Sequence, residues 1–202
     1  MPPLEALARF AAGQLGTLGA TDLASLRHLP PISRPGKILH AAANYREHVA
    51  EMTAYNVSAG NSDPDARFRG NKDLAEPYLF LKASSAITGP YDDIALPPGE
   101  HQVDWEAELA AVIGKRGRNI SAASAMDHVA GFMVANDLTC RDLLWRKDRQ
   151  NFKTDWLSSK SHDGFEPIGP LFVPRQFVPN PNDVRITLKV NGAIKQDGST
   201  AE

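Results

Sequence analysis

Three acidic side chains, Glu106, Glu108 and Asp137, stand where they could share one cation. Glu106 and Glu108 are two apart in VDWEAELAAVI at 103–113. That block alternates as a strand does, so both carboxylates project to one side with Ala110 and Val112. Trp105, Ala107, Leu109, Ala111 and Ile113 take the other side. Two like charges on a half-buried sheet face repel, and each loses solvation. A hard divalent cation offsets both costs, because Mg2+, Mn2+ and Ca2+ prefer oxygen ligands. Asp137 directly follows an apolar strand and is a natural third ligand. Taken alone, the Glu-x-Glu spacing fits an exposed sheet face at least as well.

A second group lies in NYREHVAEM at 44–52. If this stretch is helical, His48 and Glu51 sit at i and i+3 and can touch. A carboxylate beside an imidazole fixes its tautomer and makes a general base for water. An ordinary ion pair at a solvated helix start fits the same spacing. Lys160 lies in DWLSSKSHDGFEPIGP. Near a metal it could hold a substrate carboxylate or a developing oxyanion. Lys82 and Arg141 could serve similarly, and each also fits a plain surface charge. His162 and Asp163 read as turn residues. Cys140 reads as a small buried side chain, with no basic partner evident for a reactive thiol.

The elements that must position these groups are short. Leu4, Leu7, Phe10 and Ala11 predict an amphipathic helix over 3–12, followed by a break at Gly13, Gly16 and Gly19. Thr21 or Asp22 can cap a further short helix through Leu26. Three prolines between Pro30 and Gly36 mark a linker, which makes 1–36 an accessory segment and 37–202 the main domain. Strands are expected at Ile38–Ala43, Tyr78–Lys82, across 103–113, at Val129–Ala135 and at Val184–Val190. Short helices are expected at Ser121–Asp127 and Thr139–Arg149. Residues 56–76 lack an apolar period and read as a surface loop, a common form for a lid over a site. Asn191-Gly192 is a strong hairpin signal. The strand returning from that turn would be cut off at Glu202.

The bulk composition narrows the function. Of 202 residues, 42% are apolar and 23% charged, which fits one globular domain with a core. The net charge of −2, without a basic block, disfavours nucleic-acid partners. No apolar run approaches the ~20 residues that span a bilayer. A single cysteine excludes a disulfide framework within the chain. The start MPPLEALARF lacks a secretory pattern, so a cytoplasmic location is expected.

These groups occur together in an order that resembles the fumarylacetoacetate hydrolase family, from Ile38 to about Gly198. The matching stretches are Asn44-Tyr45 with His48, Glu51 and Met52; FLKASSAITGP at 80–90; DWEAELAAVIGK at 104–115; GFMVANDLTCRD at 131–142; and KSHDGFEPIGP at 160–170. The resemblance implies a β-rich mixed α/β fold whose mixed sheet rolls into a barrel-like core, assembled as a homodimer. It implies Mg2+, or Mn2+ or Ca2+, on carboxylates matching Glu106, Glu108 and Asp137. It implies a His-Glu pair matching His48 and Glu51, and a lysine matching Lys160. Family members cleave, hydrate, decarboxylate or isomerise small 2-oxo or diketo acids.

The expected activity is hydrolytic cleavage of a C–C bond in an acylpyruvate-like acid through a metal-stabilised enolate. Hydration, decarboxylation or isomerisation is the alternative, as is a truncated non-catalytic homologue. The family's closing segment, with its Thr-Gly-Thr-Pro motif, finds no match before Glu202. The expected domain is therefore incomplete at its C-terminal side.

Overall fold

The structure is a computed structural model that describes residues 13–14, 21–42, 45, 77–99, 101–149 and 151–201. Eleven short strands and three short α-helices occupy the described residues. In chain order the strands begin with β1 (Ile38–Ala41), β2 (Leu79–Lys82), β3 (Ile87–Thr88), β4 (Val103–Asp104) and β5 (Ala107–Ile113). Helix α1 (Ala122–Ala125) leads into β6 (Val129–Asn136), β7 (Thr139–Cys140) and α2 (Arg141–Leu144). Then come α3 (Trp156–Lys160), β8 (Glu166–Pro167), β9 (Val173–Pro174), β10 (Arg185–Val190) and β11 (Ala193–Ser199).

The strands pair as β1-β2, β3-β8, β4-β7, β10-β11 and a three-stranded β5-β6-β9 sheet. Among the described residues only the β3-β8 pair is parallel. The fold is thus mixed α/β and β-rich, and no closed barrel forms among the described residues. Its core packs Met133, Ala135 and Ile168 against Ile32, Ile87, Ala110 and Val112. Ala110 and Val112 lie on the same face of β5 as Glu108. The glutamate therefore looks inward, which rules out the exposed sheet face that its spacing allowed. Gly131 lets β9 approach β6, because a Cβ there would meet the carbonyl oxygen of Val173.

Four expectations change. The strand over 103–113 is broken at Trp105-Glu106. The Trp105 amide donates to Asp104 Oδ1 (2.9 Å) and the Glu106 amide to Asn136 Oδ1 (3.0 Å). With both amides satisfied by side chains, the chain passes from the β4-β7 pairing to the β5-β6 pairing. The helix expected over Thr139–Arg149 shrinks to Arg141–Leu144. Thr139 and Cys140 are claimed by the ladder to β4, and Trp145 bridges to Thr154. Tertiary pairing overrides helix propensity at both ends.

The return strand after Asn191-Gly192 is not cut off. Its residues from Ala193 to Ser199 pair along β10, and both turn residues have positive φ (51° and 81°). Asp22 caps a single 3-10 turn, Leu23–Ser25, in place of a helix through Leu26. The helix expected over 3–12, the loop at 56–76, and the His48-Glu51 pair lie outside the described residues.

Candidate metal centre

At the end of the β5-β6 ladder, Glu106 and Asp137 come opposite each other. The Asp137 amide donates to the Glu106 carbonyl at 2.9 Å. Glu108 is two residues further along β5, in register with Ala135. The hairpin β10-β11 pins this end from outside: Gln196 accepts from the Ala107 amide (2.8 Å) and donates back to its carbonyl (3.1 Å). One carboxylate oxygen from each of Glu106, Glu108 and Asp137 then lies within 4.8 Å of the other two. The structure thus brings together the three acidic residues that the sequence singled out.

Lys160 reaches the trio from α3. Asp155 caps that helix by accepting from the Ser158 amide (2.9 Å), and Ser159 anchors its far end on the Cys140 carbonyl (2.9 Å). The Lys160 ammonium, 2% exposed, donates to Asp137 Oδ2, Thr139 Oγ1 (2.8 Å) and Glu106 Oε1 (3.0 Å). Lys82, named as a substrate group with a plain surface charge as its alternative, is buried at 3% exposure. Its ammonium donates to Asp137 Oδ1 (2.6 Å) and the Phe165 carbonyl (2.6 Å), and lies 2.9 Å from Glu166 Oε2. Arg141, at the start of α2, spans Asp104 Oδ2 (2.8 Å) and Glu106 Oε1 (2.7 Å).

Two residues of the site carry no mark in the sequence reading. His40 comes from β1, where it pairs with Phe80 of β2 and stacks on its ring (centroids 5.1 Å). Glu166 comes from β8, placed by the parallel pairing with β3. His40 Nδ1 lies 3.1 Å from Glu108 Oε2 and 3.5 Å from Asp137 Oδ2, while Nε2 lies 3.4 Å from Glu166 Oε2. The signal that could have found His40 is a histidine inside a short apolar strand, ILHA, which needs a buried partner.

The electrostatics are those of a crowded anion site. Burial pushes the Glu108 carboxyl above its ordinary range, and the His40 hydrogen bond only partly opposes this. Burial would also raise Asp137, but the charges of Lys82, Lys160 and His40 outweigh it and hold Asp137 low. Burial disfavours a charged His40, yet the hydrogen bond to Glu108 and the neighbouring carboxylates of Glu166 and Asp137 push it up to about 10. Among the described residues the connected network joins five carboxylates (Asp104, Glu106, Glu108, Asp137, Glu166) to three permanent cations (Lys82, Arg141, Lys160). Carboxylates outnumber these cations by two while His40 is neutral and by one with His40 protonated, so a divalent ion that displaces the His40 proton balances the cluster, and the oxygen donors suit it. The residues present therefore fit the group.

The family model described as fumarylacetoacetate (FAA) hydrolase C-terminal matches residues 37–202. The chain belongs to the fumarylacetoacetate hydrolase family. Oxaloacetate tautomerase FAHD2A, mitochondrial, from Homo sapiens is 40% identical to it over 192 residues, which is 95% of this chain and 54% of that protein. The chain thus spans about half the length of the curated relatives it matches.

Solved structures of other proteins fold the same way. One is 5-carboxymethyl-2-hydroxymuconate delta-isomerase from Mycobacterium smegmatis, with 32% identity and a TM-score of 0.67, over 92% of this chain and 63% of that one. Another is maleylpyruvate hydrolase from Sphingobium sp. SYK-6 in complex with manganese (II) ion and pyruvate. It shows 27% identity and a TM-score of 0.70, over 98% of this chain and 61% of that one. The relatives are named as enzymes: a tautomerase, an isomerase and a hydrolase.

Proposed function

We propose that this chain forms the metal-binding part of an enzyme that enolises a small 2-oxo acid, with keto–enol tautomerisation of oxaloacetate as its reaction. The observation that carries the reading is the convergence of Glu106, Glu108 and Asp137 beside a buried lysine, in a cluster where carboxylates outnumber cations. Those three residues would hold Mg2+ or Mn2+. The ion, when bound, supplies positive charge that polarises a 2-oxo group.

The chain's own residues do the rest. Lys82 and Lys160 keep Asp137 ionised by donating to both of its oxygens. Arg141 holds Glu106 from the partly exposed side and faces the carboxylate of an entering substrate. Lys160 Nζ supports negative charge developing on a substrate oxygen. His48 with Glu51 is the expected base, moving the proton at the carbon next to the oxo group. The acting enzyme is a homodimer in this reading, as the family resemblance implies.

Tautomerisation is placed first because several relatives near 40% identity are named for it. C–C cleavage of an acylpyruvate is the second reading, favoured by the hydrolase structure that holds manganese and pyruvate. It needs the same electron-accepting site and, in addition, attack by water on a distal carbonyl. The test follows enol-oxaloacetate spectroscopically, and an acylpyruvate by product mass, with Mg2+ or Mn2+. The expected result is faster ketonisation that a chelator abolishes. No metal-dependent change in either substrate would refute the reading.

A further inference from the structure

We propose that His40 is a nitrogen ligand of the same metal centre, oriented by Glu166, so that the centre holds a transition ion such as Mn2+ more tightly than Mg2+ or Ca2+. This rests on the metal reading above. His40 belongs to a second set of donors, His40, Asp137 and Glu166, whose ligand atoms also lie within 4.8 Å of one another. The two sets share Asp137, and every member of the second is buried. His40 Nδ1 is 3.1 Å from Glu108 Oε2 and 3.5 Å from Asp137 Oδ2. Neighbouring ligands on one ion, each bonded at about 2.1 Å, stand about 3 Å apart, so these spacings suit a shared ion.

The far side of the ring supports the assignment. His40 is 6% exposed and Glu166 3% exposed. His40 Nε2 has no hydrogen-bond partner among the described residues, and Glu166 Oε2 lies 3.4 Å away. A ligating histidine donates its other ring N–H to such a carboxylate, which fixes the tautomer and makes the ligating nitrogen more basic. Lys82, 2.9 Å from the same oxygen, keeps Glu166 in place. Phe80 and Trp156 stack behind the imidazole (4.7 Å between their centroids) and fix the ring plane. An imidazole nitrogen suits first-row transition ions such as Zn2+ best, and Mn2+ accepts one more readily than Mg2+ or Ca2+, which favour an all-oxygen shell.

The test is pulsed EPR of the full chain loaded with Mn2+, together with Mn2+ and Mg2+ titrations. The wild-type spectrum should show modulation from a directly bound 14N nucleus. His40→Gln should bind Mn2+ without that modulation, and its Mn2+-over-Mg2+ preference should fall. Glu166→Gln should keep the nitrogen signal and lose about 10–100-fold in Mn2+ affinity. A wild-type Mn2+ complex without 14N coupling, or coupling that persists in His40→Gln, overturns the proposal but leaves the carboxylate site standing. Absence of Mn2+ binding that depends on Glu106 and Asp137 overturns both.

Discussion

Asp137 is the residue on which the site turns, because both lysines and His40 lean on it. Replacing Lys82 with Met removes one counter-charge from a buried cluster and leaves Asp137 and Glu166 facing each other. Breaking a buried pair on one side typically costs roughly 3–5 kcal/mol. Chemical denaturation should show a loss of that order in the metal-free protein, and a loss under about 1 kcal/mol would mean that water reaches the cluster. Glu108 gives a pH prediction. Its carboxyl titrates above the ordinary range because burial disfavours its charge. Metal binding needs the ionised form, so protons compete. As pH falls, divalent-ion affinity should weaken before exposed carboxylates begin to protonate. Mn2+ titrations across the acidic range check this; affinity that stays flat until the ordinary carboxylate range argues against Glu108 as a ligand.

Short elements hold these residues, and each can be tested. Asp155 caps α3 through the Ser158 amide, and α3 carries Lys160 into the site. Asp155→Ala should cost about 1 kcal/mol of stability. It should lower turnover by more than it lowers metal affinity, since the ion's carboxylates come from β5 and the segments beside β5 and β6; equal losses would mean that α3 also shapes the ligand set. At this scale the sequence is readable where chemistry is local. The Glu106-Glu108 alternation, the turn at Asn191-Gly192 and the apolar run of β6 follow from period and turn chemistry. The break at Trp105-Glu106 does not, because it depends on the side chains of Asp104 and of Asn136 on another strand. The roles of His40 and Glu166 depend on distant residues in the same way. Only the pairing of β1 with β2, and of β3 with β8, brings them to Asp137. Lys82 could be read as a surface charge because nothing near it in sequence supplies the acids that bury it.

Across the whole molecule, a buried cluster whose carboxylates outnumber its cations is a source of instability until a metal ion enters. Ligand that binds the folded chain alone stabilises it by mass action, about 2.7 kcal/mol at a hundredfold excess over Kd. The melting temperature should therefore rise with Mn2+ and return on chelation. Among the described residues no helix is long and apolar enough to cross a membrane.

The most direct measurement is a calorimetric titration of Mn2+ into the wild-type chain and into Asp137→Asn. The account predicts one ion per chain in the wild type and loss of that binding in the variant, with the variant still folded by circular dichroism. Equal binding by both proteins, or none by the wild type, would contradict it.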